Sequence, residues 1–211
     1  MTLPILPPLY VVTDRHQVAE EKFLDILSQI MSHSRVMLQL REKDIPTRRL
    51  LPLAQAVQSL ASLHRVPLLI NDRLDLAMVV GAAGVHLRSN SLPVQQVRKC
   101  LGSEKVIGVS VHSVEEARRC EDAGADFVVL GPIYETPSKR SYGAPLGLQA
   151  VKDASEACHI PVYAIGGITL VRLDAVKQSG AYGVAVISAI LCADNPQEAV
   201  KHFTTHLGVP K

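Results

Sequence analysis

Tryptophan is absent from this chain of 211 residues, and all aromatics together make up 4% of it. That scarcity argues against a surface that stacks bases. So does a formal net charge of only +2, because a nucleic-acid footprint needs clustered positive charge. The pairs Arg48-Arg49 and Arg118-Arg119 stand alone and read as solvated helix faces. Cysteine is also sparse. Cys100, Cys120, Cys158 and Cys192 are scattered and form no CxxC motif, which fits reduced packing thiols rather than a disulfide framework or a metal knuckle. No uninterrupted apolar run is long enough to span a bilayer. The first residues carry no basic stretch leading into an apolar one. The expectation is a cytoplasmic protein with no membrane partner, and homo-oligomerisation stays open.

What the chain does have is short apolar runs, alternating with amphipathic stretches from end to end. Hydrophobic residues make up 47% and charged residues 20%, as in ordinary globular proteins. The runs are Leu9–Thr13, Val36–Leu40, Pro67–Ile70, Gly84–Leu87, Val106–Val111, Phe127–Leu130, Val162–Ile165 and Val184–Ile187. Between them lie helical patterns near Glu20–Ser32, Thr47–Leu63, Leu74–Val80, Pro93–Leu101, Val114–Ala123, Leu148–Ala157, Leu170–Ser179 and Pro196–Leu207. Strands that are rich in Val, Ile and Leu and alternate with helices imply a parallel sheet covered on both faces. Eight such units predict one α/β domain over residues 1–211, a (β/α)8 TIM barrel smaller than the roughly 250 residues typical of the architecture.

In that architecture the active site lies at the C-terminal ends of the strands. Two adjacent runs there lead straight into helices: one ends in Gly166-Gly167 and the other in Ile187-Ser188. Backbone N–H groups at paired strand ends suit a phosphate, and glycine lets an anion approach the main chain. Strand two ends Gln39-Leu40-Arg41-Glu42-Lys43. Period-two alternation puts Gln39, Arg41 and Lys43 on one side, where two cations and an amide suit phosphate or pyrophosphate. The alternative is a salt-bridged strand end with Glu42. Asn71-Asp72 closes strand three, where Asp72 reads either as a helix cap or as a ligand for Mg²⁺. Strand five carries Ser110 and His112 on one face, and an imidazole at the mouth can move protons. His86 ends strand four similarly and ranks lower. The irregular stretch Gly131–Gly147 contains Thr136, Ser138 and Lys139. A loop that long needs a functional reason, and two hydroxyls beside an ammonium suit a phosphate.

These stretches, taken in order, resemble the family of thiamine-phosphate synthases and their paralogues, the thiazole tautomerases. The resemblance rests on Leu9–Asp14, Gln39–Lys43, Asn71–Arg73, Gly84–Leu87, Gly108–His112, Thr136–Lys139, Ala164–Ile168 and Val186–Ser188. It implies that Gly166, Ile187 and Ser188 hold a thiazole phosphate, helped by Thr136 and Ser138. It implies that Gln39, Arg41, Lys43, Asn71, Ser110 and Lys139 hold a pyrimidine pyrophosphate in synthases. Two aspartates hold Mg²⁺ there: one matches Asp72, and the other lies in a Gly-Gln-x-Asp segment after Gly-Val-His-Leu. This chain departs at that point and reads Arg88-Ser89-Asn90-Ser91, so the second metal carboxylate is missing. The departure favours a thiazole tautomerase acting on a phosphorylated thiazole without a cofactor, with His112 as acid–base catalyst. The alternatives are a Mg²⁺-dependent synthase and a non-catalytic regulator that binds a thiamine precursor.

Overall fold

The computed structural model describes residues 6–33, 35–136 and 144–208. Eight parallel strands pair in chain order and the last closes on the first. They are β1 (Leu9–Val12), β2 (Val36–Leu40), β3 (Leu68–Asn71), β4 (Gly84–Leu87), β5 (Val106–Val111), β6 (Phe127–Leu130), β7 (Val162–Ile165) and β8 (Gly183–Val186). This is the expected (β/α)8 barrel, with individual strands starting or ending a residue away from the predicted bounds. Outside it lie α1 (Phe23–Met31), α2 (Thr47–His64), α3 (Leu74–Val80), α4 (Val94–Leu101), α5 (Val114–Asp122), α6 (Gly147–Ala157), α7 (Leu173–Gln178), α8 (Ser188–Leu191) and α9 (Pro196–Leu207).

Two predicted helices begin late. Glu20–Lys22 and Leu170–Arg172 are single 3-10 turns before α1 and α7, and no side chain caps either helix start. By contrast, Ser113 accepts from the Glu116 amide to cap α5, and Asn195 accepts from the Glu198 amide ahead of Pro196 in α9, so both starts are pinned. The short α8 precedes α9 in the last unit. Arg48, Arg49, Arg118 and Arg119 are exposed, as expected of solvated faces. The four cysteines are free, but Cys100 and Cys192 are exposed rather than packed.

Alternation along each strand divides the core in two. Leu9, Val11, Val36, Leu38, Leu40, Ile107, Val128, Ala164 and Val184 point outward against the helices. Tyr10, Met37, Leu69, Val106, Phe127, Tyr163 and Ala185 fill the barrel. Three of the few aromatics meet there edge to face: ring centroids lie 5.5 Å apart for Tyr10–Phe127, 5.2 Å for Phe127–Tyr163 and 6.1 Å for Tyr10–Tyr163. The Tyr163 and Tyr182 hydroxyls donate to the Pro7 and Leu6 carbonyls at 2.7 and 2.6 Å, which ties the incoming chain across the lower end.

Gly108 makes room for this layer. A Cβ there would lie 2.2 Å from Phe127 Cζ and 2.8 Å from His86 Nδ1. Ring atoms held in a packed core cannot yield that distance. Gly108→Ala is therefore expected to lower unfolding free energy by about 2 kcal/mol, the scale of core overpacking. Urea denaturation checks this, and an unchanged midpoint and slope would show that the aromatic layer shifts freely.

Candidate active site

The C-terminal strand ends surround a cavity of about 1020 Å3. Its lining includes Gln39, Arg41 and Lys43 from β2 and beyond, Asn71 from β3, His86 from β4, Ser110 from β5 and His112 just past its end. Thr136, Gly166, Ile187 and Ser188 border the same space. The period-two reading of strand two holds, because Leu38 and Leu40 pack outward. Glu42 turns away from the cavity. Its side chain is 1% exposed and accepts from Thr13 Oγ1 at 2.6 Å and from the Arg15 amide at 3.2 Å. Burial raises the Glu42 pKa, while the Thr13 and Arg15 hydrogen bonds lower it. Its ion-pair partner is Arg15, at 3.8 Å, which leaves Arg41 directed at the cavity. Burial lowers the Arg41 pKa; Asp14 and Glu42 raise it, and Arg88 lowers it. A guanidinium stripped of water in this way gains most from an anion that reaches it.

A buried polar chain forms the floor. Gln39 Nε2 donates to the Tyr10 hydroxyl at 2.8 Å. Tyr10 lies 3.2 Å from His86 Nδ1, and His86 Nε2 lies 2.8 Å from Ser110 Oγ. Among the orders that satisfy these contacts, one also gives the fully buried Tyr10 O–H an acceptor. Tyr10 donates to Nδ1, Nε2–H donates to Ser110, and the Ser110 hydroxyl proton is left to point into the cavity. Desolvation, reinforced by the Arg41 charge, pushes the His86 pKa down to about 3. His86 is thus a neutral relay that sets the direction of Ser110. Sequence reasoning ranked it low; the available signal was its inward parity with Gly84 on β4.

The opposite side is built from backbone. Gly166 and Gly167 adopt φ of +102° and +65°, which disfavours any side chain. On the side where a side chain would stand, both glycines meet chain rather than open space, while their backbone still lines the cavity. A Cβ on Gly166 would lie 2.8 Å from Pro132, and one on Gly167 would lie 2.8 Å from Tyr134. The 131–136 segment lies along β7 through Ile133 N to Ile165 O at 2.8 Å and Tyr134 N to Gly166 O at 3.1 Å. That brings Thr136 to the cavity, where its Oγ1 is buried with no hydrogen-bond partner among the described residues. Ser138 and Lys139 lie outside the described residues. His112 follows the end of β5, between the two sides in strand order. Its Nδ1 donates to the Gly131 carbonyl at 2.6 Å, and its amide donates to Glu116 Oε2 at 2.7 Å.

Asp72 is not the helix cap that its position suggested, because the residue preceding α3 is Arg73 and no side chain caps that end. Asp72 takes φ +61°. Arg88 Nε donates to its Oδ2 at 3.0 Å, joined by Arg88 Nη2, and the Ser91 hydroxyl donates to Oδ1. Both oxygens that a metal would use are engaged. These residues do not fit the Mg²⁺ that the synthase resemblance implied.

The chain matches, over residues 9–190, the family model described as "Thiamine monophosphate synthase". The chain belongs to that family. It is 41% identical over 193 residues to a thiamine-phosphate synthase of Roseiflexus sp. (strain RS-1), covering 92% of this chain and 82% of the relative. It is 40% identical over 193 residues to a thiamine-phosphate synthase of Clostridium novyi (strain NT), covering 92% and 95%. The solved thiamine phosphate pyrophosphorylase of Pyrococcus furiosus superposes with a TM-score of 0.86 at 29% identity, over 95% of each chain. These likenesses overturn the expectation of a thiazole tautomerase. No helix among the described residues is long and apolar enough to cross a membrane.

The floor carries a pH signature. His86 has its ordinary pKa of 6.5 in the unfolded chain and about 3 in this family member's fold. A depressed folded pKa gives stability that is complete above the unfolded value and is lost as pH falls toward the folded one. Between about pH 6.5 and pH 5 the wild type should lose about 2 kcal/mol more stability than His86→Gln, which cannot titrate. Parallel stability curves for the two proteins in urea would show that His86 protonates in place.

Proposed function

We propose that this chain is a transferase that joins a pyrimidine-methyl pyrophosphate to a thiazole phosphate, releasing pyrophosphate and forming thiamine phosphate. The observation that carries the reading is the presence of two anion-holding sides in one cavity. Arg41, Lys43 and Asn71 line one side, and Gly166, Ile187, Ser188 and Thr136 line the other. Synthase relatives that span most of the chain support the same assignment.

The chemistry follows from that division. The thiazole phosphate lies against the Gly166-Gly167 and Ile187-Ser188 backbone, where the amides of Ser188 and Ala189 open α8 and have no intrahelical acceptor. Val12, Val129, Ile165 and Ala185 offer apolar wall between the two sides, suited to two heteroaromatic rings. The bond between the pyrimidine methylene and the pyrophosphate oxygen breaks, and the electron pair leaves on pyrophosphate. The thiazole nitrogen then uses its lone pair to bond to the methylene carbon. Arg41 and Lys43 stabilise the charge that develops on the leaving group, and the inward Ser110 hydroxyl adds a donor. No proton changes hands in this step. His112 is therefore assigned a wall and ring-orienting role, with its Nδ1–H fixed on the Gly131 carbonyl.

Purified protein supplied with both substrates, with and without Mg²⁺, should release one pyrophosphate for each thiamine phosphate formed. Arg41→Ala should lower kcat/KM by about 100-fold, the scale of removing one preorganised donor. Failure to form thiamine phosphate at high enzyme concentration in both conditions would refute the assignment.

A further inference from the structure

Arg88 and Ser91, the two positions at which the chain differs from what the resemblance implied, act together. Arg88 and Ser91 follow β4, beside the end of β3, and both close on Asp72. The Arg88 amide also donates to Ser91 Oγ at 2.8 Å, so the turn that presents the guanidinium is braced by the same hydroxyl that occupies Oδ1. Asp72 is fixed in turn: its amide donates to the His86 carbonyl at 2.8 Å. The result is an arginine fork anchored along one edge. Its side chain is 42% exposed, and it lines the cavity together with Arg41.

Charge accounting gives this arrangement a meaning. A divalent ion on two carboxylates sums to zero, and so does a guanidinium on one carboxylate with a neutral hydroxyl in place of the other. The anion entering the cavity meets a cation held by Asp72 in both cases. A guanidinium offers five donors in a planar fork suited to phosphate oxygens, and anchoring it beforehand removes part of the ordering cost on binding.

We propose that Arg88 is a built-in replacement for the divalent ion: with Arg41 it binds the substrate pyrophosphate directly, and this chain needs no Mg²⁺ to hold it. The choice of pyrophosphate rests on the function proposed above.

Calorimetry with inorganic pyrophosphate tests this on the whole chain. In EDTA the wild type should bind pyrophosphate, and Arg88→Gln should bind it at least about 10-fold more weakly, as expected for a lost charge-assisted contact. Mg²⁺ should not tighten wild-type binding. The double variant Arg88→Gly with Ser91→Asp should reverse the pattern, binding pyrophosphate weakly in EDTA and at least about 10-fold more tightly with Mg²⁺. Wild-type binding that appears only with Mg²⁺ would overturn the proposal, and that arm requires no variant to fold. Arg88→Gln binding as tightly as wild type would overturn it equally. The same preparations, assayed for thiamine phosphate, separate the two ideas. Metal-free pyrophosphate binding without coupled product would sink the synthase reading and leave Arg88 in its role. Coupled product together with strictly Mg²⁺-dependent pyrophosphate binding would do the opposite.

Discussion

Closure of the barrel fixes everything that the cavity contains. Because each strand alternates sides and the eighth pairs with the first, every residue of inward parity shares one interior. Slipping any strand by one residue would exchange its whole inward set for its outward set. Gln39 faces the cavity while Leu38 and Leu40 pack outward for this reason. The aromatic layer of Tyr10, Phe127 and Tyr163 fills the interior below, so polar chemistry is confined to the upper end.

The upper end is organised from its floor outward. Gln39, Tyr10, His86 and Ser110 form one hydrogen-bonded line, which couples the barrel core to the first polar group that a ligand would meet. Buried networks of this kind are costly when half-satisfied and rigid when complete. Around the floor, side chains from β2 to β4 supply positive charge, while the ends of β7 and β8 supply backbone. A long side chain can reach and adjust to a pyrophosphate; a backbone cradle holds one compact phosphate in one place. The division of labour suits two substrates of different reach.

Much of this was legible in the residue pattern. Hydrophobic runs gave eight strands in order, and parity gave the inward direction of Gln39, Arg41, Ser110 and His112. Three features were not legible. His86 looked like an isolated histidine because its partners, Tyr10 and Ser110, come from distant strands. The reason for Gly166-Gly167 was misjudged because the chain that packs over them, Pro132 and Tyr134, belongs to a loop without periodicity. The change to Arg88 and Ser91 read as the loss of a metal ligand, and so weighed toward the tautomerase over the synthase. Only the hydrogen bonds reveal that Arg88 and Ser91 close on the same carboxylate, Asp72.

The central claim is that one cavity holds two anions at once, on opposite walls. The most direct measurement is calorimetric titration of thiazole phosphate into the protein alone and into protein saturated with inorganic pyrophosphate. The account predicts binding in both cases, with affinity retained or improved when pyrophosphate is present. Complete mutual exclusion, with thiazole phosphate binding abolished by saturating pyrophosphate, would mean a single anion site and would contradict it.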